Sequence, residues 1–462
     1  MKKTNKILLA IGSISSISAL PLIAASCKNK EKEQKEKEQK EKEQKEKEQK
    51  EKEQKEKEKK EQIERVTSQV KEIWNKDFKN KVTSAKNYSM LVEEIKKQIT
   101  RPDSKSLIKL VDQSKLRERP KKGQSGQKLE LNVGKIKVSL EFGEVKEGKQ
   151  VTKYIDEHGK LQETDAIDLS DTKKYGDKFK NVKKIVQIGY YEHEDNHDGN
   201  KLHIRAVSMP TTVEEVPTEL PKEITSTRSM FWDAAKFNQD ISGWDTSNLE
   251  TIDQMFVGAK MFNQDLSKWN VSNVRILDFA FSETEAFNQD LSKWDISNVT
   301  SMERVFQKAK VFNNGNKPLL WGNKTKKVKN MNSLFAHAFK FNQDISGWDV
   351  SSVTDMEQLF LSAHEFNQPL NTWNVKNVKN MRNMFYSAHK FNQDISGWDT
   401  SNVEDMGNMF LDAKAFNQNI SDWKTPKVKK WDAFDQKSNK EWKNGHKPAK
   451  WIEYKNNKKI KE

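Results

Sequence analysis

The chain has 462 residues, with 83 Lys and Arg against 68 Asp and Glu, eight His and one Cys. A hydrophobic share of 34% excludes a multi-span membrane protein, and the single cysteine excludes a disulfide scaffold or a cysteine-rich zinc module. The net charge of +15 favours anionic surroundings without choosing among polyanions, sugars and lipid head groups.

The N-terminus has the pattern of a secretory signal. Lys2, Lys3 and Lys6 precede an uncharged stretch over 7–25, whose small residues end at Ser26, directly before Cys27. A retained transmembrane helix is the alternative, but the apolar core is short and rich in Ser and Gly. This junction resembles the lipobox of bacterial lipoproteins. The resemblance implies cleavage after residue 26, a diacylglycerol thioether on Cys27, and usually a third acyl chain or a free amine. Two acyl chains are what stable anchoring needs, so the mature protein is expected on the outer face of the cell membrane.

A charged spacer occupies 27–60, where Glu-Lys-Glu-Gln-Lys repeats contain no apolar residue. Pairs such as Glu31 and Lys35 place Glu four residues before Lys, the favourable order on a helix. The pattern predicts a solvated helical stalk of about 45 Å. A disordered polar linker with the same role is the alternative.

Two small modules are predicted before the repeats. Over 61–125, apolar residues from Ile63 onward recur at helical spacing and predict two helices, the second ending at Arg101-Pro102. Over 126–210 the apolar period changes to two and predicts a β-rich module, with a hairpin joining 185–190 to 202–207.

A repeat fills 211–435. Eight units begin with Phe-Asn, spaced by 25 residues except for one spacing of 29, and a fixed period in the twenties predicts a stacked solenoid. The eight phenylalanines that begin the units are Phe237, Phe262, Phe287, Phe312, Phe341, Phe366, Phe391 and Phe416. The four extra residues of the long unit are expected to form loops.

Within one unit, Val353, Met356, Phe360 and Ala363 lie three or four residues apart, as on one face of a short helix. The alternation after Phe341 is typical of a strand. The predicted fold class is therefore an α+β repeat solenoid, a leucine-rich-repeat-like stack of one strand and one short helix per coil. A charged helical stalk and a small α/β-type module precede it.

Two residue ladders run through every unit. The Trp ladder, which includes Trp348, would close a corner of each coil, although a sugar- or peptide-binding stripe is the alternative. The Asn ladder, which includes Asn342, predicts side chains that bond to backbone amides in successive coils. Glycine-rich calcium-binding nonapeptides do not occur in the sequence, so no metal is predicted.

The unit Phe-Asn-Gln-Asp-Ile-Ser-Gly-Trp-Asp-Thr-Ser-Asn-Val, followed by Met and Met-Phe, resembles the 25-residue repeats of mycoplasma surface lipoproteins. These are similar to BspA-like leucine-rich-repeat surface proteins. The resemblance covers about residues 180–435 and implies a leucine-rich-repeat-like solenoid, surface display, and adhesion or host interaction.

Enzymatic patterns are weak. His193 to His197 matches H-E-x-x-H, but its turn-forming neighbours predict a solvated hairpin loop rather than the helix that a zinc protease needs. We predict no enzyme, no cofactor, no metal and no catalytic residue; Cys27 is the one predicted site, for lipid attachment. The stretch from Lys424, which includes the basic tail over 436–462, is rich in Lys with Trp431, Trp442 and Trp451 interleaved, which is compatible with nucleic acid or sulfated glycan. An end cap followed by a solvated tail explains it better, and nucleic acid is not expected.

Two functions stay open. The first is a lipid-anchored, stalked solenoid that binds an extracellular host protein or glycan through one face. The second is a surface-coat or antigenic-variation protein without a dedicated ligand. A clustered apolar or aromatic patch beyond the two ladders would favour the first function, and a uniformly polar outer face would favour the second.

Overall fold

The computed structural model describes residues 20–459, so most of the predicted signal segment 1–26 lies outside the described residues. The chain forms two compact units. The first consists of residues up to 80 together with 88–116 and 126–142, and the second of 81–87, 117–125 and 143 onward. Across the described range, no helix is both long enough and apolar enough to cross a membrane.

A single helix, α1 (Leu20–Ile73), contains the charged spacer. Every residue from 32 to 61 is exposed, and Gln amides donate to Glu carboxylates four residues later, as from Gln49 to Glu53 at 2.8 Å. The spacer is therefore helical rather than irregular. Burial begins at Ile63, where the apolar residues begin.

The rest of the first unit packs on the end of α1. It contains α2 (Tyr88–Gln98), α3 (Pro102–Lys105) and an antiparallel sheet in the order β1 (Ile108–Leu110), β2 (Lys128–Val133), β3 (Ile136–Glu141). The Trp74 ring lies edge-on to Phe142 with a centroid distance of 5.0 Å, and its Nε1 donates to the Glu141 carbonyl at 2.9 Å. The predicted apolar alternation in β2 and β3 is confirmed.

The second unit begins with a sheet in the order β5 (Leu161–Thr164), β4 (Thr152–Ile155), β6 (Lys184–Gln187), and α4 (Thr172–Tyr175) precedes β6. A hairpin of β7 (Tyr190–Asp195) and β8 (Lys201–Ala206) follows. The hairpin prediction was therefore wrong in its first strand, because residues 184–187 pair with β4 instead. The chain leaves one sheet for the other at Gly189, where a Cβ would lie 2.3 Å from the Thr152 hydroxyl oxygen.

From residue 211, successive repeats lie against one another, and one parallel bridge per repeat joins them, as between Asp355 and Asn380. The predicted strand and short helix of each repeat are both wrong: the repeats consist of turns, with 3₁₀ turns at Asn314–Asn316 and Gly322–Thr325 in the long unit. The physical reason is a positive φ at two positions four residues apart, such as Gln358 (57°) and Ser362 (54°). These residues stop a right-handed helix each time it would begin.

The core consists of columns of identical side chains. Phe360 is fully buried and stacks on Phe335 and Phe385 of the neighbouring repeats at 5.9 and 5.6 Å between centroids. Each Trp of the ladder is buried and donates its Nε1 proton to a carbonyl of the preceding repeat, as from Trp373 to Ile345 at 3.1 Å. The Trp ladder is therefore structural, as predicted.

The Asn ladder is also confirmed. The Asn342 Oδ1 accepts a hydrogen bond from the backbone N–H of Asn367 at 2.9 Å, and the same contact recurs from repeat to repeat. Because each Asn caps the backbone of the following repeat, every unit needs one.

The last repeat ends differently. Asp435 stands where earlier repeats have Phe, and its carboxylate pairs with Lys447 at 2.8 Å. Trp442 covers Phe410 and Phe416 edge-on, while Trp451, in α5 (Ala449–Lys459), packs on Trp431. The segment after 438 thus forms the end cap that the sequence predicted, and its Trp rings are part of the core.

Candidate functional site

Each repeat makes two consecutive tight turns that project from the core. In one repeat, the Ala363 N–H donates to the Phe360 carbonyl and the Phe366 N–H donates to the Ala363 carbonyl. Residues 361–362 and 364–365 are the central residues of these turns, so their side chains lie outside the buried Phe and Ala columns. We call the surface formed by the central residues of both turns, in all repeats, the turn-tip face.

Apolar side chains are exposed on the turn-tip face. Trp232 is 38% exposed and Met261 is 55% exposed, and Val311 lies on the same face. Farther along the repeats, Leu361 and Tyr386 are half-buried at equivalent positions. Exposed apolar and aromatic side chains therefore recur on one face beyond the two structural ladders.

An aromatic stack runs along this face in its C-terminal half. Phe339 stacks on His364 with centroids 4.9 Å apart, and His364 stacks on His389 at 4.4 Å, with interplanar angles of 17° and 9°. His389 is held by the Asp412 carboxylate at 3.1 Å, and His337 meets the edge of Phe339. Sequence analysis missed this stack, although the 25-residue spacing of Phe339, His364 and His389 was a usable signal.

Burial lowers the pKa of His337, and the nearby Lys308 lowers it further. Burial also lowers the pKa of His364, with additional contributions from His389 and His337. Both shifts favour the neutral form of the His337 and His364 imidazoles.

The H-E-x-x-H pattern does not form a helical site. His193 and Glu194 lie in β7, and His197 lies in the 3₁₀ turn Asn196–Asp198. The loop prediction was therefore wrong for the first half of the motif.

A different group of possible metal ligands does come together: Asp198, buried His203 and Glu250. Both carboxylates already form ion pairs with side chains: Lys201 lies 2.5 Å from Glu250, and Arg275 contacts Asp198. Positive side chains at that range repel a metal ion, so we interpret this group as an ion-pair cluster.

A second charged cluster lies in the first repeats. Arg228 contacts Asp195 at 2.8 Å and Asp253 at 3.3 Å. Burial raises the pKa of Asp253 to about 7 and that of Asp278 to about 6. The neighbouring carboxylates discourage ionisation further. We therefore expect this cluster to affect the pH dependence of stability.

One family model matches the repeats. It is described as Mycoplasma protein of unknown function, DUF285, and it matches residues 211–321, 317–423 and 368–446, together about half of the chain. The chain belongs to this family. Its repeated matches agree with the repeating turns and ring columns of 211–446. No curated protein and no solved structure matches the chain.

Proposed function

We propose that this member of the DUF285 family is a lipid-anchored cell-surface protein whose repeats bind an extracellular host protein or glycan through the turn-tip face. The observation that carries the proposal is the recurrence of exposed or half-buried apolar and aromatic side chains on that face, including Trp232, Met261 and the stack that ends at His389. Apolar surface that is rimmed by polar residues is typical of an interaction site.

The fold in this proposal is a leucine-rich-repeat-like solenoid of the BspA-like type. It is supported by the parallel bridge between each pair of neighbouring repeats and by side-chain columns that contact only adjacent repeats. A solenoid presents equivalent positions at regular spacing, which suits a long ligand or several copies of a short one.

The anchor in this proposal is a diacylglycerol on Cys27, at the junction that resembles a lipobox. The exposed helix over 32–61 would then separate the folded units from the membrane. Localisation would be the extracellular face of the cell membrane. Growth with labelled palmitate, comparing the natural chain with Cys27→Ser, tests the anchor; label that persists on the variant would contradict it.

A surface-coat role is the second candidate. It is favoured by the varied, polar residues at the position after each repeat's buried Val, such as Thr354, Lys379 and Glu404. Such a protein would need no dedicated ligand, and its exposed positions would be free to change.

Binding experiments separate the two candidates. Residues 28–462 would be applied to cultured host cells and to a panel of matrix proteins and glycans, at low and physiological salt. The adhesion proposal expects saturable binding that survives salt and falls at least tenfold in the triple variant Phe339→Ser, His364→Ser, His389→Ser. The matched variant Lys379→Ser, Glu404→Ser should bind normally.

Two outcomes would contradict adhesion through the turn-tip face. Binding that disappears at physiological salt would reduce the interaction to net charge. An absence of saturable binding to every cell and ligand tested would leave the coat role as the better explanation.

A further inference from the structure

At three alternate positions of each repeat, the backbone N–H groups donate to carbonyls of the next repeat. Backbone bonds at other positions, such as from the Lys429 N–H to the Glu404 carbonyl, run in the opposite direction. The N–H groups of Asn408, Phe410 and Asp412 donate to carbonyls of the next repeat at 2.6, 2.9 and 2.8 Å. The equivalent groups of earlier repeats, such as Asn383 and Phe385, do the same. Each repeat thus turns a row of three N–H groups toward the C-terminal end of the repeats.

No further repeat follows the last one, so no carbonyl of a following repeat accepts from its three N–H groups. Ala433, Asp435 and Lys437 occupy the three donor positions, and their N–H groups have no acceptor among the described residues. All three residues line one groove, about 1060 Å³ in volume. Aligned, unpaired N–H groups carry partial positive charge and form anion-binding concavities.

The side chains of the groove add positive charge. Six lysines line it against two acidic residues, Asp435 and Glu441. The lysines are Lys414, Lys437, Lys440, Lys447, Lys455 and Lys458. The groove therefore carries an excess of positive charge at the same place as the donor row.

Asp435 pairs with two of these lysines, and Lys414 contacts Asp412. The free positive charge of the groove therefore comes from Lys437, Lys440 and Lys458. The Asp435 carboxylate lies 2.8 Å from Lys447 and 3.4 Å from Lys455. Burial opposes ionisation of Asp435, but these lysines hold its pKa below the ordinary value.

The aromatic residues of the groove narrow the class of ligand. Trp442 is 3% exposed and Trp451 is 4% exposed, because both rings pack on the last repeat. They offer no open ring face on which a nucleobase or a sugar could stack. The third aromatic residue, Tyr454, is half-buried and stacks on Trp451. The rest of the lining combines a row of N–H donors with ammonium groups, and this combination suits carboxylates.

We propose that this groove binds an acidic segment of a polypeptide, whose side-chain carboxylates accept from the N–H groups of Ala433, Asp435 and Lys437. Lys440 and Lys458 flank the bound segment and pair with its further carboxylates. The site lies at the C-terminal end of the repeats, where Lys414 belongs to the turn-tip face, but it does not include the stacked rings of Phe339, His364 and His389 and does not depend on adhesion.

The test uses residues 28–462 and a labelled heptaglutamate peptide, with heptaglutamine as the neutral isostere, at physiological salt. Saturable binding of heptaglutamate, at least tenfold tighter than of heptaglutamine, is expected. The variant Lys440→Glu, Lys458→Glu should weaken it tenfold or more. The matched variant Lys268→Glu, Lys293→Glu makes the same charge change at exposed positions of earlier repeats and should bind normally.

Amide hydrogen exchange identifies the donor row. Bound heptaglutamate should slow exchange at residues 433, 435 and 437 and leave exchange around Phe339, His364 and His389 unaffected. Equal weakening by both double variants, or binding without protection of these amides, would overturn the proposal. Protection of the three amides by heparin but not by heptaglutamate would also overturn the proposal, because it would identify a glycan site. The turn-tip triple variant should bind heptaglutamate normally, so that this site and the adhesion proposal can fail separately.

Discussion

Two regions of this chain are built from repeats, and different contacts stabilise their structures. The spacer over 31–60 repeats every five residues, and each of its described side chains is exposed. The array from 211 repeats every 25 residues, and its Phe, Trp and Ala columns are buried. In the spacer, neighbours along one helix supply the contacts, whereas in the array the contacts come from residues 25 positions away.

The difference shows which feature of a repeat produces a core. A unit without apolar residues can only stabilise its own backbone, through weak pairs such as Gln44 and Glu48. A unit with fixed apolar positions buries them only when another unit stacks on it. Substitutions should therefore have large effects in the array and small effects in the spacer.

The largest effect is expected from Phe360→Ala. Phe360 is fully buried between Phe335 and Phe385, so truncation leaves a cavity in the column. We expect the free energy of unfolding of the array to fall by about 3–5 kcal/mol, measured by urea denaturation with Trp fluorescence. Lys45→Ala in the spacer is the control, and an equal loss there would contradict the comparison.

The pH dependence of the array should follow Asp253. Burial raises its pKa to about 7 from an ordinary 3.8, so the folded state keeps a proton that the unfolded state releases. Stability from this group is therefore complete near pH 4 and is lost as pH rises toward 7, by an amount on the order of 2–4 kcal/mol. Asp253→Asn should flatten the curve of unfolding free energy against pH. Exposed Asp177→Asn should leave that curve unchanged.

A smaller loss is expected from Asn342→Ala. The Asn342 Oδ1 accepts from the Asn367 N–H at 2.9 Å and from Gln368 at 3.0 Å, and both donors would lose their partner. We expect about 1–2 kcal/mol less stability in the same denaturation experiment. Gln44→Ala, which breaks one exposed pair of the spacer, should cost less than about 0.5 kcal/mol.

The smallest effect on the array is expected from the substitution that is most damaging to the spacer. Gln44→Pro removes a helical hydrogen bond and clashes with the preceding turn, so circular dichroism at 222 nm should fall. The unfolding midpoint of the array should not move, because its core contains no spacer residue. A shift in that midpoint would mean that the two regions depend on each other.

Sequence analysis predicted the columns well and the backbone poorly. Trp373 and Asn342 were assigned structural roles because every unit has one, and the structure confirms both roles. The short helix around Met356 was wrong, because the 3–4 spacing of apolar residues is equally compatible with consecutive tight turns. Nothing in the identities of Gln358 and Ser362 indicates a positive φ, since neither is glycine.

The turn-tip face was harder to predict than the core for a related reason. Core positions repeat in every unit, whereas Phe339, His364 and His389 are aromatic in only three units. Their importance depends on three rings being stacked, which requires the turns to place them at equivalent positions.

The sequence by itself determined how each repeat aligns with the next, because side chains of one type recur every 25 residues and pack on the same type in the neighbouring repeat. It also determined that the spacer could bury nothing. Only the tertiary structure decided which backbone N–H groups face the next repeat, and with that the unpaired donors at Ala433, Asp435 and Lys437. Backbone polarity leaves no trace in side-chain identity, because every residue except proline carries the same N–H and C=O groups.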